Sequence, residues 1–218
     1  MALAIFDLDN TLLTGDSDHL WGEFLCDRGI VDSDEYRRKN EMYYRQYEAG
    51  TLDILEFLSF SLTPLTRHAI HDLHQWRAEF VDTKIEPIIS SKSRALLHQH
   101  RSQGDYLLII TATNFFVTEP IAERLGVDHL LATDPEFVGG RYTGRVSGTP
   151  CFQGGKVERL NEWLGQTPHT LEDSHFYSDS HNDMPLLEAV THPIVVDPDA
   201  KLANVAKQRG WDVISLRD

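Results

Sequence analysis

Apolar positions follow two rhythms along this chain. Residues 3–8 form a short unbroken apolar run that suits a buried strand, whereas from about 17 to 82 the spacing is helical throughout. Leu20, Trp21, Phe24 and Leu25 share one face before a stop at Gly29, and Tyr36, Tyr43, Tyr44 and Tyr47 recur at helical spacing up to Gly50. The Leu52 to Leu62 stretch is dense in Leu and Phe and ends at Pro64, and Ile70, Leu73, Trp76 and Phe80 make a fourth stripe. Four helices of this kind predict a small all-α unit with the aromatic stripes as its core. After Pro87 the pattern predicts a helix over 88–103 closed by Gly104, a strand at 106–112, a helix over 115–125 ended by Gly126, and a strand at 129–132. A hairpin over 136–147 turns on Gly139-Gly140. A helix at 155–164, a strand at 175–178, a helix at 182–190, a strand at 193–196, a helix at 199–209 and a strand at 213–216 complete the series.

Alternation of this sort implies the α/β class, with a doubly wound parallel sheet and helices on both faces. The first strand is separated from its sheet by the helical block. Residues 1–15 and 84–218 are therefore predicted to form the core, and 16–83 an inserted all-helical cap over the end of strand one. There is no internal repeat and no low-complexity segment.

Charge narrows the partners. Asp and Glu number 34 against 20 Lys and Arg, a formal charge of -14 that repels nucleic-acid backbones and anionic lipid. No nucleic-acid and no membrane partner is expected. The two cysteines, Cys26 and Cys151, lie far apart in no metal-ligand spacing and read as reduced thiols. With no signal-like start and no run long enough for a membrane span, the expectation is a soluble cytoplasmic protein, monomeric or homodimeric.

Against this acidic background, polar residues fall at predicted strand ends, where open α/β sheets bind ligands. The first apolar run ends in Asp7-Leu8-Asp9 with Thr11 two positions on. One carboxylate there can attack phosphorus as a covalent nucleophile and the other can carry the leaving group's proton. Thr111 closes the strand YLLII, so its hydroxyl and the amide of Ala112 can hold phosphate oxygens. Lys156 follows Gly154-Gly155 at a helix start, a position its charge disfavours unless an anion is near. Asp179, Asn182 and Asp183 end a further strand, and two more carboxylates facing the first pair would repel one another without a cation such as Mg²⁺. Each feature alone has a structural alternative: a polar turn, a threonine filling a strand end, a solvated lysine, a helix cap.

Together these four positions resemble the haloacid dehalogenase superfamily, with its Asp-x-Asp-x-Thr/Val motif, strand-end Ser/Thr, Lys and acidic last motif, over the whole chain. The helical insertion, Tyr142-Thr143-Gly144 in the hairpin and Asp179-Ser180-His181-Asn182-Asp183 resemble most the phosphoserine-phosphatase branch, and the chain is similar to bacterial histidinol-phosphatases of that branch. The resemblance implies a Rossmann-like core and a Mg²⁺-dependent phosphomonoester hydrolase acting on a small phosphorylated metabolite. It further implies that Asp7 forms an aspartyl-phosphate and that Asp9 serves as acid and then base. Thr111, Ala112, Lys156 and Asn182 would contact the substrate. Asp7, the Asp9 carbonyl and Asp179 would hold the metal, with Asp183 steadying them.

A phosphotransferase of the same fold and a catalytically silent binding protein are the rivals. A dehalogenase is disfavoured because members with that activity lack the second aspartate. In the phosphoserine-cleaving members a cap acid nine residues after the nucleophile is associated with the substrate amine, which maps to Asp16, and a cap arginine grips the substrate carboxylate. In the corresponding stretch after Gly50, TLDILEFLSFSL, this chain has no arginine, and nothing in the pattern requires Arg37, Arg38 or Arg45 to substitute. The departure favours a substrate with a cation and no carboxylate, for which histidinol phosphate is the best fit; equally, Asp16, Ser17 and Asp18 can simply begin a helix. Phosphatidylglycerophosphate is less attractive because of the acidic charge. His68, His71 and His74 read as a polar helix face, and His181 as a possible pocket residue.

Overall fold

The computed structural model describes residues 2–218, and among these seven strands form one sheet. β1 (Leu3–Phe6) lies at its centre between β2 (Tyr106–Asn114) and β5 (His175–Ser178), parallel to both. β3 (His129–Val138) and β4 (Arg141–Ser147) extend one side, while β6 (His192–Val196) and β7 (Asp212–Ile214) extend the other. Every neighbouring pair is parallel except β3 and β4.

The period-two alternation of the central strands explains why both faces are covered. Ala4 and Phe6 of β1, with Leu107 and Ile109 of β2, face a layer that includes α6 (Ser91–Gln103) and α7 (Phe115–Leu125). Leu3 and Ile5, with Leu108 and Ile110, face α8 (Gly154–Leu164), α9 (Met184–Leu187) and α10 (Ala200–Arg209).

Between β1 and β2 the chain forms α1 (Ser17–Asp27), α2 (Ser33–Ala49), α3 (Ile54–Ser61), α4 (Thr63–Arg67) and α5 (Ile70–Phe80). Asp16, Asp32 and Asp53 cap the first three, each accepting a backbone N–H three residues on. Trp21, Phe24 and Phe80 pack edge and face with Phe116 of α7, so the apolar interior of this block runs on into one face of the sheet.

Several expectations change. Pro64 does not end the helical stretch; it sits in the first turn of α4, where its missing N–H costs nothing, giving a fifth helix. The strand predicted at 129–132 and the first arm of the hairpin are one strand, β3, which pairs with β2 as far as Thr133 and with β4 from Asp134. The helix expected over 182–190 is a single 3₁₀ turn (His181–Asp183) followed by the short α9, and the last strand ends at Ile214. A 3₁₀ turn over Glu86–Ile88 precedes α6, which begins later than expected, at Ser91. Among the described residues no helix is long and apolar enough to cross a membrane.

Candidate active site

Asp7 stands at the carboxyl end of β1, its N–H donating to the Tyr177 carbonyl of β5 at 2.9 Å. The chain then winds tightly, closing from the Leu13 N–H to the Leu8 carbonyl at 3.0 Å, with Asn10 at φ 58, a left-handed conformation asparagine tolerates. This turn aims the Thr11 hydroxyl at two acids at once: it donates to Asp179 Oδ1 at 3.0 Å and lies 3.4 Å from Asp7 Oδ2. The Asp179 N–H donates back to the same hydroxyl at 3.1 Å. The first and last motifs therefore meet at one oxygen.

Lys156 reaches the same place from α8. Its buried ammonium donates to Asp7 Oδ1 at 2.7 Å and to Asp183 Oδ2 at 2.8 Å. The Ser178 hydroxyl donates to that Asp183 oxygen at 2.7 Å. The loop before α8 requires glycine, because a Cβ on Gly155 would lie 2.1 Å from the Pro150 carbonyl oxygen. That close approach draws the first turn of α8 inward and carries Lys156 under β1.

Asp9 faces other partners. It accepts the Ser17 N–H at 2.6 Å and the Thr113 hydroxyl at 2.8 Å. Thr111 does not close its strand: β2 runs on to Asn114, with a register shift against β3 after Ile110. The Thr111 hydroxyl lies 3.5 Å from Asp9 and accepts the Thr113 N–H at 3.2 Å. Thr113 was not expected, although strand periodicity puts it on the face of Thr111.

Burial dominates the proton affinities. It pushes Asp7 up to about 7, with Lys156 opposing and Asp183 and Asp9 adding to the rise. Burial pushes Asp9 up to about 6, helped by repulsion from Asp16 and moderated by its Ser17 and Thr113 hydrogen bonds. Asp179 is raised by burial and then by Asp7 and Asp183. Burial works to lower Lys156, but Asp183 and Asp7 outweigh it and hold the ammonium charged. Both carboxyls of the Asp7-Leu8-Asp9 turn are therefore raised by burial, and Lys156 only partly offsets that effect at Asp7.

The donor set fits a hard divalent cation. Asp7, Asp9, Asp179 and Asp183 are all buried, with Lys156 the buried ammonium among them, and oxygen ligands of this kind suit Mg²⁺. Asp7 and Asp179, which flank the Thr11 hydroxyl, are the side chains placed to hold it. No group of three or more acidic, histidine or cysteine side chains is poised around one point among the described residues. The Asp183 carboxylate is engaged by Lys156 and Ser178, and that of Asp9 by Ser17 and Thr113.

Above these residues a cleft opens beneath α1, α2 and α3. Ala112, Thr111, Asp16 and Asn182 line it, and Asn182 spans the two sides by donating to the Tyr47 carbonyl of α2 at 3.3 Å. Asp16 lines the cleft and also caps α1, accepting the His19 N–H at 2.8 Å. Tyr43, Tyr44 and Tyr47, expected as helix-bundle core, are half-buried and form its wall. His181 does not line it; its ring bonds Asp199 at 2.7 Å and abuts Gly50, where a Cβ would lie 2.6 Å from Nε2. His71 and His74 are exposed, as a polar face requires. Cys26 and Cys151 are buried free thiols.

A family model for haloacid dehalogenase-like hydrolases matches residues 4–188. The chain is 44% identical to a histidinol-phosphatase of Neisseria meningitidis over 219 residues, covering 99% of both proteins. A crystal structure of a protein of unknown function from Bordetella pertussis matches with TM-score 0.94 and 46% identity, covering 99% of each chain. A phospho-aspartyl intermediate analogue of a phosphoserine phosphatase matches in fold, with TM-score 0.72 at 17% identity, covering 99% of this chain and 93% of that one.

Proposed function

This chain belongs to the haloacid dehalogenase-like hydrolases, and from that premise we propose that it is a Mg²⁺-dependent phosphomonoesterase whose substrate is histidinol phosphate. In this reading Asp7 attacks the phosphorus and forms an aspartyl-phosphate, and Asp9 protonates the departing alcohol and then takes a proton from the hydrolytic water. Lys156 and the Thr111 hydroxyl hold phosphoryl oxygens. Mg²⁺, held by Asp7, Asp179 and the Asp9 carbonyl, would neutralise charge on the transferring group. The block over residues 16–83 serves as the cap that excludes stray water, and the reaction belongs in the cytoplasm.

One observation carries the substrate choice. Lys156 is the sole Lys or Arg lining the cleft among the described residues, whereas Asp16 and Asp18 both face it. The cap arginines are turned elsewhere: Arg37 pairs with Glu23 and Asp27, and Arg45 with Glu41. A substrate carboxylate would find no bidentate partner, which disfavours phosphoserine, while a substrate amine would find acid. The 44% identity to a histidinol-phosphatase supports the same choice.

A phosphate-release screen over histidinol phosphate, phosphoserine, glycerol phosphates and sugar phosphates should show a preference for the first, lost on chelation with EDTA and restored by Mg²⁺. A preference for phosphoserine would overturn the reading, and transfer of phosphate to an added sugar instead of water would indicate a mutase. Within the mechanism, Thr113→Val removes the hydroxyl that holds Asp9 ionised, so kcat should fall by about tenfold. The same change raises the Asp9 carboxyl, so the alkaline limb of the kcat profile should move to higher pH. An unmoved limb would separate Thr113 from Asp9 chemistry.

A further inference from the structure

The cleft continues past the phosphate-handling residues to a group the mechanism leaves unused. Asp18, in the first turn of α1, is 8% exposed and lines the cleft. Its carboxylate has neither a hydrogen-bond nor an ion-pair partner among the described residues; its charged surroundings are Asp16 and Asp9, which repel it. Asp16, by contrast, is half-buried and already accepts the His19 N–H. A first-turn position recovers only a small part of what it costs to bury a carboxylate without a donor. The missing donor is therefore one that arrives with the substrate.

The walls say what kind of donor. Tyr43, Tyr44 and Tyr47 of α2 and Phe57 of α3 line the cleft together with His19, whose ring lies 5.0 Å from that of Tyr44. Asn40 fixes His19, donating to its carbonyl at 3.0 Å with its amide 3.2 Å from Nδ1. Flat walls beside an unmatched acid favour a planar ring that carries an N–H.

We propose that Asp18 determines specificity by accepting a hydrogen bond from the ring N–H of an imidazole-type heterocycle borne by an amino-alcohol phosphate, while Asp16 takes the amine. This rests on the histidinol-phosphate reading and goes beyond it by assigning the two ends of the substrate to different acids. A site built to bond an N–H rejects an analogue lacking it far more strongly than an apolar pocket rejects a change of size.

The test compares kcat/KM for histidinol phosphate and phenylalaninol phosphate, which shares the amine and phosphate but has no ring N–H. The wild type should prefer histidinol phosphate by about 10²-fold or more. Asp18→Leu, which removes the acceptor at similar volume, should shrink that preference by about tenfold or more, chiefly through KM. Without substrate the variant should melt no lower than the wild type, since it replaces an unpartnered buried acid with an apolar side chain; a purely structural Asp18 would instead lower the melting point and leave the preference alone. Equal turnover of the two esters by the wild type overturns the proposal with no variant needed. An intact preference in folded Asp18→Leu overturns the assignment to Asp18 and leaves the function standing. Wild-type hydrolysis of phosphoserine with rejection of both amino-alcohol esters sinks the histidinol-phosphate reading, and this one with it.

Discussion

Asp7→Asn should abolish phosphate release, by about 10⁴-fold or more, in a protein that still folds. The amide is nearly isosteric and keeps an oxygen for the Lys156 hydrogen bond, but it cannot attack phosphorus. The stability consequence has a definite sign. Burial raises the Asp7 carboxyl from 3.8 to about 7. A carboxyl raised on folding costs nothing below 3.8, costs progressively more as the pH rises, and reaches its full penalty above about 7. The amide carries no such penalty. In EDTA the melting point of Asp7→Asn relative to wild type should therefore climb between pH 4 and 8. Phosphate-release assays with paired thermal melts check both halves. Residual turnover near the wild-type rate would move the nucleophile elsewhere; a melting difference independent of pH would show that Asp7 is not held in the buried state described.

The residues most legible in the sequence were those whose roles are set by chain topology. Asp7 and Asp179 end apolar runs, and in a parallel sheet the carboxyl ends of such runs lie on one edge, so their convergence at Thr11 follows from strand order alone. What stayed hidden depends on local register and on what packs above. Thr113 holds Asp9 only because β2 continues past Ile110 through an irregular register, which period-two alternation cannot locate. The tyrosines of α2 have the spacing of a core stripe, and their role as a wall depends on the cleft lying beneath that helix instead of more apolar side chains. Pro64 was ambiguous for a physical reason: the missing N–H that stops one helix is equally at home in the first turn of the next. The absence of an arginine from the stretch after Gly50 was visible in the sequence. That no other arginine replaces it required knowing that Arg37 and Arg45 are paired on the surface.

Lys156→Met should be the most destabilising single change at this site. Lys156 is 3% exposed and is the buried ammonium shared by Asp7 and Asp183. Methionine fills much the same volume, so the loss is electrostatic: two buried carboxylates are left facing each other, a break that typically costs about 3–5 kcal/mol. The deficit depends on pH through Asp7, because Lys156, raised by Asp183 and Asp7 against the effect of burial, stays charged throughout the neutral range. Without the ammonium, the main group that lowers Asp7 is gone, so its carboxyl rises further. At pH 8 the orphaned Asp7 anion carries its whole penalty; towards pH 5 its carboxyl takes up a proton and the variant should regain part of its stability. Denaturation in EDTA at the two pH values measures this. Mg²⁺ should then narrow the gap at pH 8, since a cation beside Asp7 and Asp179 supplies part of the missing charge. Under the proposed mechanism turnover would not return with it, since removing a fixed donor to the phosphoryl oxygens typically costs about 10²–10³ in rate. A variant as stable as wild type at pH 8 would mean that the Asp7–Lys156–Asp183 arrangement does not hold the site together, and the positioning of the nucleophile would need another source.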